Sequence, residues 1–178
     1  MDKQALPLGK VYGLLEPGPV LLLSTRRGER NNIMAMSWHM MMEFVPPTLG
    51  CIVSGRNHSF IALQESGECV LNIPTDELAT QVVGCGNTSG RRTNKFGRFG
   101  LTAVPASKVA APMIDECYAN LECRVIDRSM VASYNMFIME VVAAWVAPTV
   151  AAPRTLHHRG YGTFAVASET IQLPSKMK

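Results

Sequence analysis

No stretch of this 178-residue sequence approaches the roughly 18 consecutive apolar residues a bilayer-spanning helix needs, so no membrane partner is expected. The opening MDKQALPLGK has neither the apolar core nor the cleavage site of a secretory signal, which points to a cytoplasmic location. Charge is sparse as well. Seventeen Lys and Arg stand against 14 Asp and Glu, a net charge of +3, and the cations are scattered rather than striped. That excludes the usual footprint of a nucleic-acid binder and favours a small anion as partner.

The five cysteines, Cys51, Cys69, Cys85, Cys117 and Cys123, contain no C-x-x-C pair. An odd, unpaired set is expected to be buried and reduced, not catalytic and not holding zinc. His157 and His158 do not help, because adjacent strand residues point to opposite faces. There is no G-x-S-x-G elbow, no H-E-x-x-H and no pair of carboxylates set for acid–base work. GCGNTSG follows a helical pattern rather than a strand, so a dinucleotide-binding Rossmann fold is disfavoured.

What is present is apolar: 47% hydrophobic residues against 17% charged, which argues for a well-packed core and for surface covered by another subunit. The length suits one domain over 1–178. PVLLLSTRRG, IMAMSW, TLGCIVSG and ECVLNIP read as strands bounded by Pro, Gly or Asn, and NLECRVIDR, NMFIMEVVAAWV and TFAVAS follow later. HSFIALQESG has helical spacing and ends at Gly67. ELATQVVG reads as a second helix, capped by Thr75 or Asp76 and ended by Gly84. The polar segment from Asn87 to Gly100 reads as a loop with at most one turn near Lys95 and Phe96. The expectation is a mainly β protein, a closed antiparallel barrel with a few short capping helices.

Three stretches carry chemistry. SGRNHS places Ser54, Arg56, Asn57, His58 and Ser59 in the turn before a helix, where free N–H groups and the positive helix end favour an anion. The same residues also suit a plain helix cap with Arg56 in solvent. A second basic cluster, SGRRTNKF, offers Ser89, Arg91, Arg92 and Lys95 to complete a phosphate cradle, or simply makes a loop soluble. Residues 31–47, NNIMAMSWHMMMEFVPP, hold five methionines and a tryptophan, either as a buried strand or as a wall for something flat.

NIMAMSW, PPTLGCIVSGRNHSF, SGECVLNIP, SGRRTNKF, APMIDECYANLECRV and GYGTFAVASETI, in that order from Pro19 to Ile171, resemble the flavin reductase-like family of FMN-binding split barrels, which includes flavoredoxin. The resemblance implies a Greek-key β-barrel of six or so strands, a homodimer, and FMN near the subunit interface. It implies that the strand carrying Ala35, Met36, Ser37 and Trp38 lies along the flavin, with Lys95 favoured for the phosphate. Many relatives have threonine where Ala35 stands, so a hydroxyl is absent here. The implied activity passes electrons from NADH or NADPH through FMN to a flavin, a metal complex or a protein. A flavoredoxin-like carrier and a non-catalytic flavin-binding module are the alternatives. In either redox role the chain need supply no acid, base or nucleophile, because the hydride chemistry belongs to flavin and nicotinamide. Met40 to Met42 are expected to pack in the core or at the interface, His39 to be structural and His157 to lie at a surface or interface.

Overall fold

The computed structural model describes residues 18–150, 152–171 and 173–174. Its main sheet is built from β1 (Leu21–Arg27), β2 (Arg30–Met36), β3 (His39–Phe44), β4 (Pro47–Ile52), β5 (Glu68–Ile73), β8 (Ala119–Asp127) and β9 (Met136–Val146), and every pairing is antiparallel. Two small ladders complete the strands: β6 (Ala103–Val104) with β7 (Met113–Ile114), and β10 (Leu156–His158) with β11 (Phe164–Val166). Helices α1 (His58–Ser66), α2 (Ala79–Asn87), α3 (Lys95–Phe99) and α4 (Val131–Tyr134) cap it, with a 3-10 turn at Asp76–Leu78 before α2.

The strand order β2–β1–β5–β8–β9–β4–β3 places two sequence neighbours, β2 and β3, at opposite edges of a seven-stranded sheet. Only Ser37 and Trp38 join them. Two residues span at most about 7 Å fully extended, so the sheet must curl until its edges meet. The result is a barrel whose split lies at residues 37–38.

Strands β1 and β2 face two cores. Leu21, Leu23, Met36, Cys51, Cys69, Leu71, Cys123, Phe137 and Met139 fill the barrel interior. Leu22, Ile33, Val82, Cys85, Phe96 and Leu156 form a second layer between the barrel wall and helices α2 and α3. Burial on both faces is why β1 reads as the continuous run LLL rather than as an alternation.

Two expectations need correction. The strand expected at IMAMSW ends at Met36 rather than Trp38; the chain turns at Ser37-Trp38 and continues as the edge strand β3. Met40, Met41 and Met42 are 52%, 59% and 46% exposed, so they do not belong to this chain's core. Gly84 does not end α2, which runs on to Asn87. A Cβ at Gly84 would sit 2.5 Å from Cε1 of Phe99, so this glycine lets α3 pack closely and is not a C-cap. The turn expected near Lys95 and Phe96 is present as the short helix α3, whose cap Asn94 accepts from Gly97 N at 3.3 Å.

Buried Glu122 ties the 105–111 segment to the barrel. Its carboxylate accepts from Ser107 N and Oγ at 2.9 Å each, from Lys108 N, and from Trp145 Nε1 at 2.8 Å. Burial pushes its pKa up, but these donors outweigh burial and hold it below the ordinary value. A depressed folded pKa contributes stability above the unfolded value, about 4.3, that is lost as pH falls through the folded one. Glu122→Gln is expected to cost about 1–3 kcal/mol at pH 7, since its NH2 would face N–H donors. Urea unfolding at pH 7 and pH 3 checks this: the gap between the two proteins should shrink at pH 3.

Candidate functional site

Two cavities adjoin at the barrel split. The larger, about 770 Å³, is lined by the end of β2 and the joining residues, Met34, Ala35, Met36, Ser37 and Trp38, with Ile52, Ser54, Val82 and Val83. His158, Tyr161, Gly162 and Phe164 of the β10–β11 hairpin close its other side. The smaller, about 330 Å³, is lined by Asn32, Arg56, His58, Ser59, Thr88, Ser89, Gly90 and Lys95. Met34, Ala35, Asn57, Gly86 and Asn87 belong to both, so the two form one groove with an apolar end and a polar end.

The polar end is assembled from three directions. From β2 comes Asn32, whose Nδ2 donates to Ser59 Oγ at 2.7 Å; that leaves the Ser59 hydroxyl proton free for a further acceptor. From the turn before α1 come Arg56 to Ser59. Asn57 sits at the N-cap, yet its side chain makes no cap hydrogen bond, so the side-chain cap expected as the plain alternative is not formed. The turn itself is held by Ser54 Oγ, which accepts from Arg56 N at 3.3 Å, and by Asn135 Oδ1, which accepts from Gly55 N at 3.1 Å.

From α3 comes Lys95, only 4% exposed. Its ammonium donates to Ile33 O and Cys85 O at 2.7 Å each, and its third N–H has no acceptor among the described residues. Burial lowers its pKa, and an anion in the cavity would act in the opposite direction. Asn32 Oδ1 is buried without a partner. Turned over about its terminal bond, the same amide accepts from Ser59 Oγ and offers its NH2 to the cavity. No acidic residue lines either cavity among the described residues, and no carboxylate there pairs with Arg30, Arg56 or Arg91. Such a place suits an anion held by cations and hydroxyls beside a flat apolar body.

Ala35, Met36, Ser37, Trp38, Ser54, Arg56, Asn57, His58, Ser59, Ser89 and Lys95 all line this groove. Arg91 does not; its side chain is exposed outside the lining, though near enough to act electrostatically on His58. Strand alternation holds to the end of β2, with Met36 in the barrel core and Ala35 toward α2. It ends there, because Ser37 and Trp38 lie beyond the strand. His39 Nε2 donates to Pro19 O at 2.8 Å and does not line the groove, in keeping with a structural role. His157 lies 2.9 Å from Thr155 Oγ1.

Sequence reading missed Asn32, Gly86, Asn87, Gly90, Tyr161 and Phe164. The glycines carried a usable signal, since GCGN and SGRR flank the polar cavity. Nothing local marked the hairpin residues, whose place depends on β10 returning to the barrel. The cysteines are all buried and unbridged. Burial pushes the Cys51 and Cys117 thiols far up and Cys85 to about 11, against a smaller opposing pull from Lys95. None is poised as a nucleophile near neutral pH.

A match to the flavin reductase like domain extends over residues 14–165. An uncharacterized protein of Archaeoglobus fulgidus is 35% identical over 114 residues, 64% of this chain and 64% of that one, slightly under two thirds of its length. Among solved structures, an FMN-binding domain of a flavin reductases-like enzyme from Shewanella baltica superposes with a TM-score of 0.83 at 28% identity, covering 96% of this chain and 97% of that one. Flavoredoxin of Desulfovibrio vulgaris gives 0.85 at 23% identity, covering 97% of each, a likeness of fold.

Proposed function

Because the chain belongs to the flavin reductase-like family, we propose that it is an FMN-dependent oxidoreductase that takes electrons from NADH or NADPH and passes them to a flavin, a metal complex or a protein. One observation carries this reading: an apolar cavity of about 770 Å³ opens directly into a cationic one of about 330 Å³. That is the amphiphilic outline of a ring system with a phosphate on a short polar tail. FMN would supply the hydride and electron chemistry when bound.

The chain's part is to bind and orient. Lys95, Arg56, Ser59 and Ser89 would hold the 5′-phosphate, Ala35 to Trp38 would line the ring, and Val82 with Phe164 would keep water from its faces. Ala35 contributes no hydroxyl, so contacts on this strand fall to the backbone. An orphan carbonyl oxygen on Asn32 and a spare N–H on Lys95 fit a ligand that brings both hydroxyls and an anion.

The β3 edge favours a second copy of the chain. Met41 and Phe44 on the edge strand β3, and Val45 just after it, are 59%, 80% and 87% exposed beside Trp38, itself 53% exposed. An apolar edge of this kind is normally covered. Light scattering at micromolar concentration should give a dimer, and Met41→Glu with Phe44→Glu should give a monomer.

Anaerobic spectra test the redox proposal. The FMN-loaded protein should bleach on adding NADH or NADPH and recover with free flavin or ferric chelate. No bleaching with either donor would favour an electron carrier of the flavoredoxin type. Equal affinity for FMN and riboflavin in calorimetric titration would remove the phosphate site. An FMN preference of at least about tenfold is expected, narrowed by Arg56→Ala.

A further inference from the structure

His58 is the first residue of α1 and lines the polar cavity, and neither of its ring nitrogens has a hydrogen-bond partner among the described residues. Every charged group facing it is a cation. Arg27 comes from β1, Arg30 from β2, Arg56 from its own turn, Arg91 from the segment after α2, and Lys95 from α3. Glu65, farther along α1, is engaged at 2.7 Å with Arg27. Burial, then the charges of Arg30, Arg91, Arg27 and Lys95, hold the His58 pKa below its ordinary value in the ligand-free protein.

A phosphomonoester carries about −1.5 to −2 at neutral pH. Placed beside Lys95 and Ser59 it offsets part of the cationic field at His58, and protonation becomes linked to binding. We infer that His58 is a proton-linked phosphate ligand: its protonation rises as the dianion enters, drawing protons from solvent, and thereby sets, according to pH, how strongly phosphorylated flavin is preferred over riboflavin. The inference rests on reading this cavity as the phosphate end of an FMN site. It also accounts for a histidine where arginine or lysine would be the simpler choice. A further permanent cation would repel its neighbours in the empty cavity, whereas histidine acquires its charge only when the ligand is there.

The test is calorimetric titration of the flavin-free full chain at pH 7.5 with FMN, riboflavin and inorganic phosphate, in buffers of different ionisation enthalpy. Uptake of a fraction of a proton per FMN is expected, none for riboflavin, and none for FMN in His58→Gln. The FMN-to-riboflavin affinity ratio should fall several-fold between pH 6.5 and 8.5 in the native chain and stay flat in His58→Gln. By NMR, the His58 ring-proton titration should move to higher pH when FMN or phosphate is added. Tight FMN binding without proton uptake, or the same uptake in His58→Gln, overturns the inference and leaves the FMN reading intact. Failure to bind FMN together with proton uptake on adding phosphate overturns the cofactor reading and supports the role of His58.

Discussion

Lys95→Met is expected to weaken FMN binding by about 10- to 100-fold and riboflavin binding by less than about threefold. The ammonium is 4% exposed and sits under the polar cavity, held at 2.7 Å by Ile33 O and Cys85 O, with one N–H left over. A charge-assisted hydrogen bond to phosphate contributes about 1.5–3 kcal/mol, which at about 1.4 kcal/mol per decade gives the stated range. Methionine matches the lysine stem in length, so packing against α2 and β2 is largely kept. Two buried carbonyls lose their donor, which should lower stability by about 1–3 kcal/mol in the ligand-free protein. Lys95→Arg is not a mild change here, since the larger planar head has no solvent to turn into. Titration of both variants with both flavins checks the claim. If FMN and riboflavin weakened equally, Lys95 would be a clamp between β2, α2 and α3 rather than a phosphate ligand.

The second large effect is expected at Gly90→Ala. A Cβ at this position would overlap the side-chain amide of Asn32, which is 7% exposed and bonded to Ser59 Oγ at 2.7 Å. Asparagine is short and this one is enclosed, so it cannot swing aside as a long surface chain does. Either its bond to Ser59 breaks or the segment around Ser89 backs out of the cavity. Both cost about 1–3 kcal/mol in stability, roughly 2–9 °C in Tm for a chain of this size, and both loosen the phosphate cradle by about tenfold or more in FMN affinity. Adding Asn32→Ala removes the clash. The double variant should therefore be more stable than the sum of the single effects allows, and thermal melts of the four proteins measure that coupling. Additive losses would mean that the loop, not Asn32, absorbs the methyl.

Most of the strands were legible because their signal is local. Alternation and β-branched runs bounded by Gly, Pro or Asn mark β1, β4, β5, β8 and β9 whatever the rest of the chain does. The break after Met36 was not, since NIMAMSWHMMMEF is mostly apolar and carries no Gly or Pro at the turn. What makes Ser37-Trp38 a corner is the closure of the barrel, which sends β2 to one edge and β3 to the other. Gly84 shows the same limit. Its place in the sequence matches a helix end, and only the Phe99 ring packed against it reveals why the helix continues to Asn87.

For the site, residue type was enough to pick out two segments that the structure brings to one cavity, the SGRNHS turn and Ser89 with Lys95, because hydroxyls, cations and glycines cluster there in a sparsely charged chain. The sequence by itself determined that this is a β-rich chain with two polar, cation-bearing segments and unbridged cysteines. Those properties follow from composition and short-range pattern. Only the tertiary structure decided that Lys95 is buried under the cavity while Arg91 stays outside it, and that Asn32 and the β10–β11 hairpin complete the groove. Those facts depend on contacts across 27 positions between Asn32 and Ser59 and 62 between Ile33 and Lys95, which no local pattern encodes.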